Sequence, residues 1–249
     1  MLRWIVGLWF SIEVAAEISS RSSAPKVMLA THIRWVNLDG LIYILDLKAE
    51  AYFALEPSHS EAWMALAAGG HEDRNVLEHL DLDFCETLRA NGWLTNIARP
   101  SRPAYCRAIR WVPLALRHSA LAAWICLIYV SLSLKLRGFN YLVERLESLP
   151  TPTDDDSCDG RAKLAEVSFL RAERFFISSR GSDDCLPRSL ALYQFLVLCC
   201  GLSARHHIGI CRYPFKAHAW VTRHRIALLD KQTRVDKFAE LAVLGDGAP

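Results

Sequence analysis

The sequence predicts an α+β protein with two domains, and three observations support this fold class. Short apolar segments separated by turn residues run from Thr31 to Leu55, which is typical of β-strands. Apolar residues at helical spacing follow over residues 58–91 and return after a linker rich in Arg and Pro. Strand patterns then reappear beyond Gly201. Strands and helices grouped in separate runs indicate α+β domains.

The composition excludes several classes of protein. The 249 residues carry a net charge of only +2, which does not indicate a nucleic-acid binder. The eight cysteines include no C-x2-C pair and show no regular framework spacing. Because no secretory signal is convincing, these cysteines predict reduced thiols and a cytoplasmic location.

The first segment, residues 1–27, lies outside the predicted domains. Its apolar run ends at Glu13, and a stretch rich in Ser, Arg and Pro follows. This pattern favours a disordered extension, or a start codon assigned too early with Met28 as the true start, over a secretory signal.

A first folded domain is predicted over residues 28–98. Three strands are expected at 31–36, 41–47 and 51–55, with Asp39-Gly40 as the turn of the first hairpin. Ser58 is a predicted N-cap for a helix that ends before Gly69-Gly70, and shorter helices are expected at 73–80 and 83–91. Three strands and three helices form a winged-helix-like module. Its last helix carries more acids than bases, which argues against DNA binding.

A linker is predicted at residues 99–110 because Arg and Pro cluster there, and a second domain is expected over residues 111–249. Its most apolar stretch, Ala120 to Leu134, is shorter than the roughly 20 residues that a bilayer span needs. A core helix is the favoured interpretation. Basic residues at both ends also fit a membrane surface, so peripheral membrane contact stays open as an alternative. Further helices are expected at 138–149 and 161–176, separated by an acidic loop.

The segment from Ser182 to Asp230 combines the residue types of a covalent catalyst. Cys185 opens a predicted buried helix that is capped by Asp183 or Asp184 and ends at Gly201, a position whose free N–H groups favour a thiolate. Three strands are then expected at 204–213, 217–222 and 225–229, with His218 in the second and Asp230 after the third. A nucleophile, a base and an acid that orients the base are the groups that cysteine acyl transfer requires.

Other readings of these residues were weighed. A buried cysteine in an apolar helix is usually a small hydrophobe, which suits Cys199 and Cys200 better than Cys185. A cluster of cysteines and histidines also invites a zinc site, but ligand pairs with zinc spacing are missing, so no metal is predicted. The members of that cluster are Cys199, Cys200, His206, His207 and Cys211.

The phrases CLPRSLAL and AHAWV, followed by a strand that ends in Asp, resemble a known family. The order Cys, His, Asp on helix, strand and strand is similar to the transglutaminase-like branch of the papain-type fold. The two sequence motifs resemble those of lasso-peptide maturation protein B. That family comprises leader peptidases that release the core peptide of a ribosomally made precursor. The resemblance implies that Cys185 is the nucleophile, His218 the general base and Asp230 the group that orients the imidazole.

The phrase GLIYILDLKAEAYFALEP in the first domain resembles the PqqD-like leader-recognition element of peptide-modifying enzymes. In that family the leader adds as a strand beside the third strand, and the last helix forms the other wall. The residues implied to lie near the leader are Ala51, Tyr52, Phe53, Ala54, Leu55, Phe84 and Leu88.

The resemblance also implies partners for the protein: a lasso precursor peptide and a macrolactam synthetase that closes the ring. The sequence indicates no cofactor for this chain, because it lacks a G-x4-GK[ST] loop that would bind a nucleotide. If cleavage and ring closure together require ATP, the synthetase is expected to bind it. Two alternatives stay open. One is a transglutaminase-like acyl transferase or amidase, and the other is a leader-binding scaffold without catalysis.

Overall fold

The computed structural model describes residues 28–68, 82–95, 117–149, 152, 159–176 and 185–245. The chain divides into two compact units, Met1–Ser101 and Arg102–Pro249. The predicted extension at 1–27, the helix at 73–80, the linker at 99–110 and the caps at Asp183 and Asp184 lie outside the described residues.

The first unit contains an antiparallel three-stranded sheet in the order β2-β3-β4. Its strands are β2 (Ile33–Leu38), β3 (Leu41–Asp46) and β4 (Ala51–Ala54). Asp39 and Gly40 both have positive φ, 53° and 82°, which suits a tight hairpin turn. The predicted strands and hairpin are therefore confirmed, with boundaries shifted by a few residues.

Two helices pack against this sheet, α1 (Pro57–Ala68) and α2 (Leu82–Ala90). The predicted N-cap at Ser58 is wrong, because α1 already begins at Pro57 and Ser58 lies inside the helix. Pro57 lacks a backbone N–H, which is tolerated in a first helical turn. Trp63 is fully buried in the core between the sheet and the helices, with edge-on contacts to Trp35 and Trp93. The Trp93 indole N–H also donates to Asp46 Oδ2 over 2.9 Å.

A second, two-stranded pairing in this unit was not predicted from the sequence. β1 (Met28–Leu29) pairs antiparallel with β5 (Leu94–Thr95), which lies beyond α2. Strands of two residues carry too little alternation for a pattern to reveal them.

The helices of the second unit are α3 (Ala120–Glu147), α4 (Asp159–Phe176) and α5 (Cys185–Gln194), and α3 packs against both of the others. Ser119 caps α3 by accepting a hydrogen bond from the Ala122 N–H. The sequence predicted two helices over α3, and the structure agrees, because two helical stretches meet at a kink at Gly138, where φ is 79° and ψ is 174°. A π-helical turn, Phe195–Cys199, extends α5 toward Gly201.

The sheet of the second unit is antiparallel with the order β8-β7-β6-β9. Its strands are β6 (Arg205–Cys211), β7 (Lys216–Arg223), β8 (Ile226–Leu228) and β9 (Ala239–Leu244). The first three agree with the predicted strands, while β9 and the short helix α6 (Gln232–Val235) were missed. α5 packs against β7 and β6, which brings the start of the helix to the centre of the sheet.

Candidate active site

Cys185 is the first residue of α5 and is half-buried. Its sulfur accepts hydrogen bonds from the backbone N–H groups of Ala219, Leu186 and Cys185 itself. These donors and the nearby charge of Arg234 favour the thiolate, as expected from the helix start. Burial has the larger effect, so the pKa of the Cys185 thiol is raised from its ordinary value. The helix start favours the thiolate as the sequence predicted, but burial outweighs this effect.

His218 and Asp230 form a short contact with each other. His218 Nε2 lies 2.5 Å from Asp230 Oδ2, and the two side chains are only 5% and 11% exposed. A carboxylate can only accept, so Nε2 carries the proton and Nδ1 is the nitrogen with a lone pair. The Asp230 carboxylate is also fixed by its own backbone, because its Oδ1 accepts a hydrogen bond from the Lys231 N–H over 2.8 Å.

The strand order explains why these side chains share one region. Ala219, whose N–H reaches the Cys185 sulfur, directly follows His218 on β7. β7 pairs with β8, and the chain leaving β8 passes through Leu229 to Asp230. The backbone of β7 next to His218 thus reaches the start of α5.

Aromatic side chains enclose the His218 ring. The indole of Trp220 lies nearly parallel to it with centroids 6.0 Å apart, and Phe238 lies at 5.2 Å. Gly209, opposite His218 on β6, makes room for this indole, because a Cβ there would stand 2.8 Å from a Trp220 ring carbon. Sequence reasoning missed Trp220, although its position two residues after His218 places both on one strand face.

The start of α5 is also attached to the sheet by a buried histidine. Ser189 Oγ lies 2.9 Å from His206 Nε2, and Ser189 stands one helical turn after Cys185. His206 is fully buried, and burial lowers its pKa to about 3. The imidazole is therefore neutral at physiological pH, and it links α5 to β6 as an uncharged group.

Arg188 connects three segments around the site. Its guanidinium makes two hydrogen bonds to the carboxylate of Glu173 on α4, the second of them over 3.2 Å from Nη2 to Oε2. Nη1 donates to the backbone carbonyl of Leu229 over 3.3 Å, next to Asp230. The helix of Cys185 and the loop of Asp230 are thus joined through one side chain, which sequence reasoning did not single out.

The cysteines and histidines that cluster in the sequence, for which no metal was predicted, lie in different surroundings. Side chains alternate along a strand, so His206 and His207 lie on opposite faces of β6. His207 Nδ1 lies 2.8 Å from Glu240 Oε1, and its Nε2 pairs with Thr222. Across residues 28–68, 82–95, 117–149, 152, 159–176 and 185–245, no group of three or more His, Cys, Asp or Glu side chains is arranged to hold a metal ion.

The cysteines away from Cys185 are mostly packed as apolar groups. Cys126 on α3 and Cys199 are buried with sulfur atoms 3.9 Å apart. Their hydrogen bond, followed by burial, raises the pKa of the Cys126 thiol, and burial raises that of Cys200. The thiols of Cys126 and Cys200 are therefore protonated and unreactive at neutral pH.

A cavity of about 580 Å³ borders Trp220 and His207, with Arg205 and Glu240 also in its wall. Cys185, His218 and Asp230 do not line it. Its residues lie on the sheet face that carries His207, so the cavity is distinct from the neighbourhood of the cysteine.

The residues implied to bind a leader lie in the first unit and differ in accessibility. β4 is hydrogen-bonded to β3 alone, so its other edge is open among the described strands. Tyr52, Phe53, Ala54 and Leu55 are at least partly exposed. The side chains of Ala51, Phe84 and Leu88 are 4%, 3% and 0% exposed, so in this structure they belong to the interior and present no surface to a peptide.

Comparison with known families matches residues 126–243 to the model described as the transglutaminase-like superfamily. Comparisons with curated proteins and with solved structures gave no match. The matched range begins within α3, includes α4 and α5, and ends within β9, so it contains Cys185, His218 and Asp230. A fold of this superfamily is typical of enzymes related to cysteine proteases. The chain therefore carries a transglutaminase-like superfamily domain at residues 126–243.

Proposed function

We propose that this protein is a cysteine endopeptidase that removes the leader from a lasso-peptide precursor. The observation that carries the catalytic part is the contact between His218 and Asp230, on a strand whose next residue, Ala219, reaches the Cys185 sulfur. The substrate class is supported by the motifs CLPRSLAL and AHAWV, which resemble lasso-peptide maturation protein B.

The proposed reaction begins with proton transfer from the Cys185 thiol to His218 Nδ1. Because burial raises the thiol pKa, this transfer accompanies the attack of the sulfur on the scissile carbonyl carbon instead of preceding it. The tetrahedral oxyanion is stabilised by the backbone N–H of Cys185, which lies in the first helical turn and has no partner within the helix. Asp230 stabilises the imidazolium and keeps Nε2 protonated.

Collapse of this intermediate breaks the C–N bond. The imidazolium gives its proton to the departing amine of the core peptide, and the leader stays on Cys185 as a thioester. His218 then takes a proton from water, whose oxygen attacks the thioester. The leader leaves with a free carboxylate, and the thiol is restored.

Leader recognition is assigned to the first unit as a PqqD-like module. Its three-stranded sheet and flanking helices agree with this architecture, and the open edge of β4 can accept an added strand. The partly exposed residues from Tyr52 to Leu55 would contact the leader. Phe84 and Leu88 would support the module from its interior.

The partner in this proposal is a macrolactam synthetase that joins the freed amine to an acidic side chain of the core. ATP, where the paired reaction uses it, belongs to that synthetase. The reaction takes place in the cytoplasm, where the cysteines of this chain stay reduced.

Acyl transfer to an amine is the second candidate, because the same residues serve either acceptor. The low exposure of His218 beneath Trp220 and Phe238 favours it, since enclosure limits the access of water to the thioester. The mass of the product distinguishes a hydrolysed leader from an amide.

The test is mass spectrometry of the cognate precursor after incubation with the protein, with and without the synthetase. We expect cleavage between leader and core with the wild type and none with Cys185→Ala. Cys211→Ala is the matched control, because that partly buried thiol lies outside the site, and it should cleave as the wild type does. A precursor that binds but stays uncut under all conditions would contradict the peptidase and favour a scaffold.

A further inference from the structure

Exposed apolar side chains concentrate on two neighbouring helices of the second unit. In the part of the chain that the structure describes, twelve large apolar side chains are exposed, and nine of them lie on α3 and α4. Those on α3 are Leu121, Trp124, Ile125, Leu132 and Leu136. Soluble proteins rarely expose so many large apolar side chains on two adjacent helices unless this surface binds another molecule.

The exposed residues of α3 form one stripe along the helix. Leu121, Ile125, Leu132 and Leu136 follow one another at intervals of four or seven residues, which places them on one helical face. The opposite face, which includes Cys126 and Val130, is buried within the unit. Both faces of α3 therefore carry apolar side chains, and only one of these faces is covered by the rest of the unit.

The exposed face of α4 combines apolar and cationic side chains. Its exposed apolar residues are Leu164, Val167, Leu170 and Phe175. Lys163, Arg171 and Arg174 are exposed between them. Across α3 and α4 the exposed cations are Lys135, Arg137, Arg161, Lys163, Arg171 and Arg174.

Exposed acids are nearly missing from the same helices. Among the described side chains of α3 and α4, Glu144 is the single exposed carboxylate. Glu147 and Glu166 are only partly exposed, and Glu173 is occupied by Arg188. The fully exposed charges of the combined surface are therefore mostly positive.

We infer that this apolar–basic surface, formed by the exposed residues of α3 and α4, binds peripherally to an anionic lipid bilayer. Apolar side chains enter the boundary between headgroups and acyl chains while Lys and Arg pair with lipid phosphates. Trp124 and Phe175, which are 38% and 85% exposed, supply the aromatic groups that favour this depth.

Surface binding fits α3 better than a transmembrane span. By length and composition α3 is apolar enough to cross a membrane, but 33% of its apolar window is buried inside the protein. The helix also bends at Gly138, before its C-terminal part. A helix that is packed on one side and bent can lie in the interface without leaving its domain.

Charge distinguishes a membrane from a protein partner. An interface with another protein is depleted of Lys at its centre, whereas this surface exposes Lys135 and Lys163. Six fully exposed cations against one fully exposed acid match a continuous anionic surface. The proposal is independent of the reaction catalysed, so it stands or fails separately from the proposed function.

The test is co-sedimentation of the full chain with vesicles of phosphatidylcholine alone or with 30% phosphatidylglycerol. We expect binding to the anionic vesicles that weakens with added salt, and little binding to the neutral ones. The triple variant Lys163→Gln, Arg171→Gln, Arg174→Gln should bind about 100-fold more weakly, because each cation near the surface contributes about fivefold. Leu132→Ser with Leu136→Ser should reduce binding at least tenfold.

Matched controls place the same substitutions elsewhere on the surface. Ile226→Ser removes an apolar side chain that is 65% exposed, and Lys216→Gln with Lys237→Gln removes exposed cations of the sheet region. These controls should bind as the wild type does. Equal loss in the controls, or full binding by the α3 and α4 variants, would overturn the inference. Self-association that Leu132→Ser with Leu136→Ser abolishes, without vesicle binding by the wild type, would assign the surface to a second copy and also overturn it.

Discussion

Protonation of His206 should destabilise the fold as the pH falls below neutrality. The folded protein holds this imidazole neutral with a pKa of about 3, while an unfolded chain has the ordinary value of 6.5. Below pH 6.5 the His206 imidazole therefore binds a proton in the unfolded state but not in the folded state. The free energy of unfolding consequently decreases as the pH falls, and this decrease continues until the pH approaches 3.

The size of the effect follows from this difference. One proton changes the free energy of unfolding by 1.36 kcal/mol per pH unit once the unfolded state is fully protonated. Between pH 7.5 and pH 5 the loss attributable to His206 is about 2 kcal/mol. Because pH 5 lies well above the folded-state pKa, the folded imidazole stays neutral over this range.

Urea unfolding followed by far-UV circular dichroism at pH 7.5 and pH 5 measures this loss. His206→Gln removes the titrating group, so its stability should fall by about 2 kcal/mol less than that of the wild type over the same interval. His207, whose pKa is also lowered by burial, stays in both proteins and cancels in the comparison. Ser189→Ala keeps the buried imidazole, so it should lower stability by about 1 kcal/mol at both pH values and preserve the pH dependence.

An identical pH dependence in the wild type and His206→Gln would refute this reasoning. Such a result would mean that His206 is solvated or paired when it is charged. The link between β6 and the helix of Cys185 would then not depend on a neutral imidazole.

Two further predictions concern the candidate site. Asp230→Asn removes the charge that orients His218, so kcat for precursor cleavage should fall by roughly 10⁴-fold at unchanged thermal stability; a loss of less than tenfold would contradict the assigned role. Gly209→Ala places a Cβ 2.8 Å from the Trp220 ring and should lower the free energy of unfolding by about 1–3 kcal/mol, with reduced cleavage. The control Gly160→Ala, which meets no atom within 4 Å, should not destabilise the fold, and an equal effect of both substitutions in thermal unfolding would count against the packing argument.

Local patterns predicted the parts of the fold that neighbouring residues determine. The turn at Asp39-Gly40, the helix near Cys185 and the strand of His218 all follow from short-range chemistry, and the structure contains each of them. β9 was missed because its partner, β6, lies far away in the sequence. A strand of six residues becomes recognisable through that pairing, not through its own composition.

Other features depend on burial, which no local pattern reports. Cys185 sits at a helix start, yet its thiol pKa is raised because the surrounding fold removes it from water. Phe84 and Leu88 lie on a helix that the family resemblance directs toward a peptide, but packing turns both inward.

Arg188 couples the position of α4 to the candidate site. The guanidinium is held by Glu173 of α4 on one side, and on the other it holds the carbonyl that precedes Asp230. A displacement of α4 would therefore move the acid relative to the imidazole that it orients. Since the outer face of α4 carries the exposed cations, a membrane or partner that binds there would also displace the loop of Asp230 through Arg188. In the proposed peptidase, such binding would change turnover without contact to the substrate.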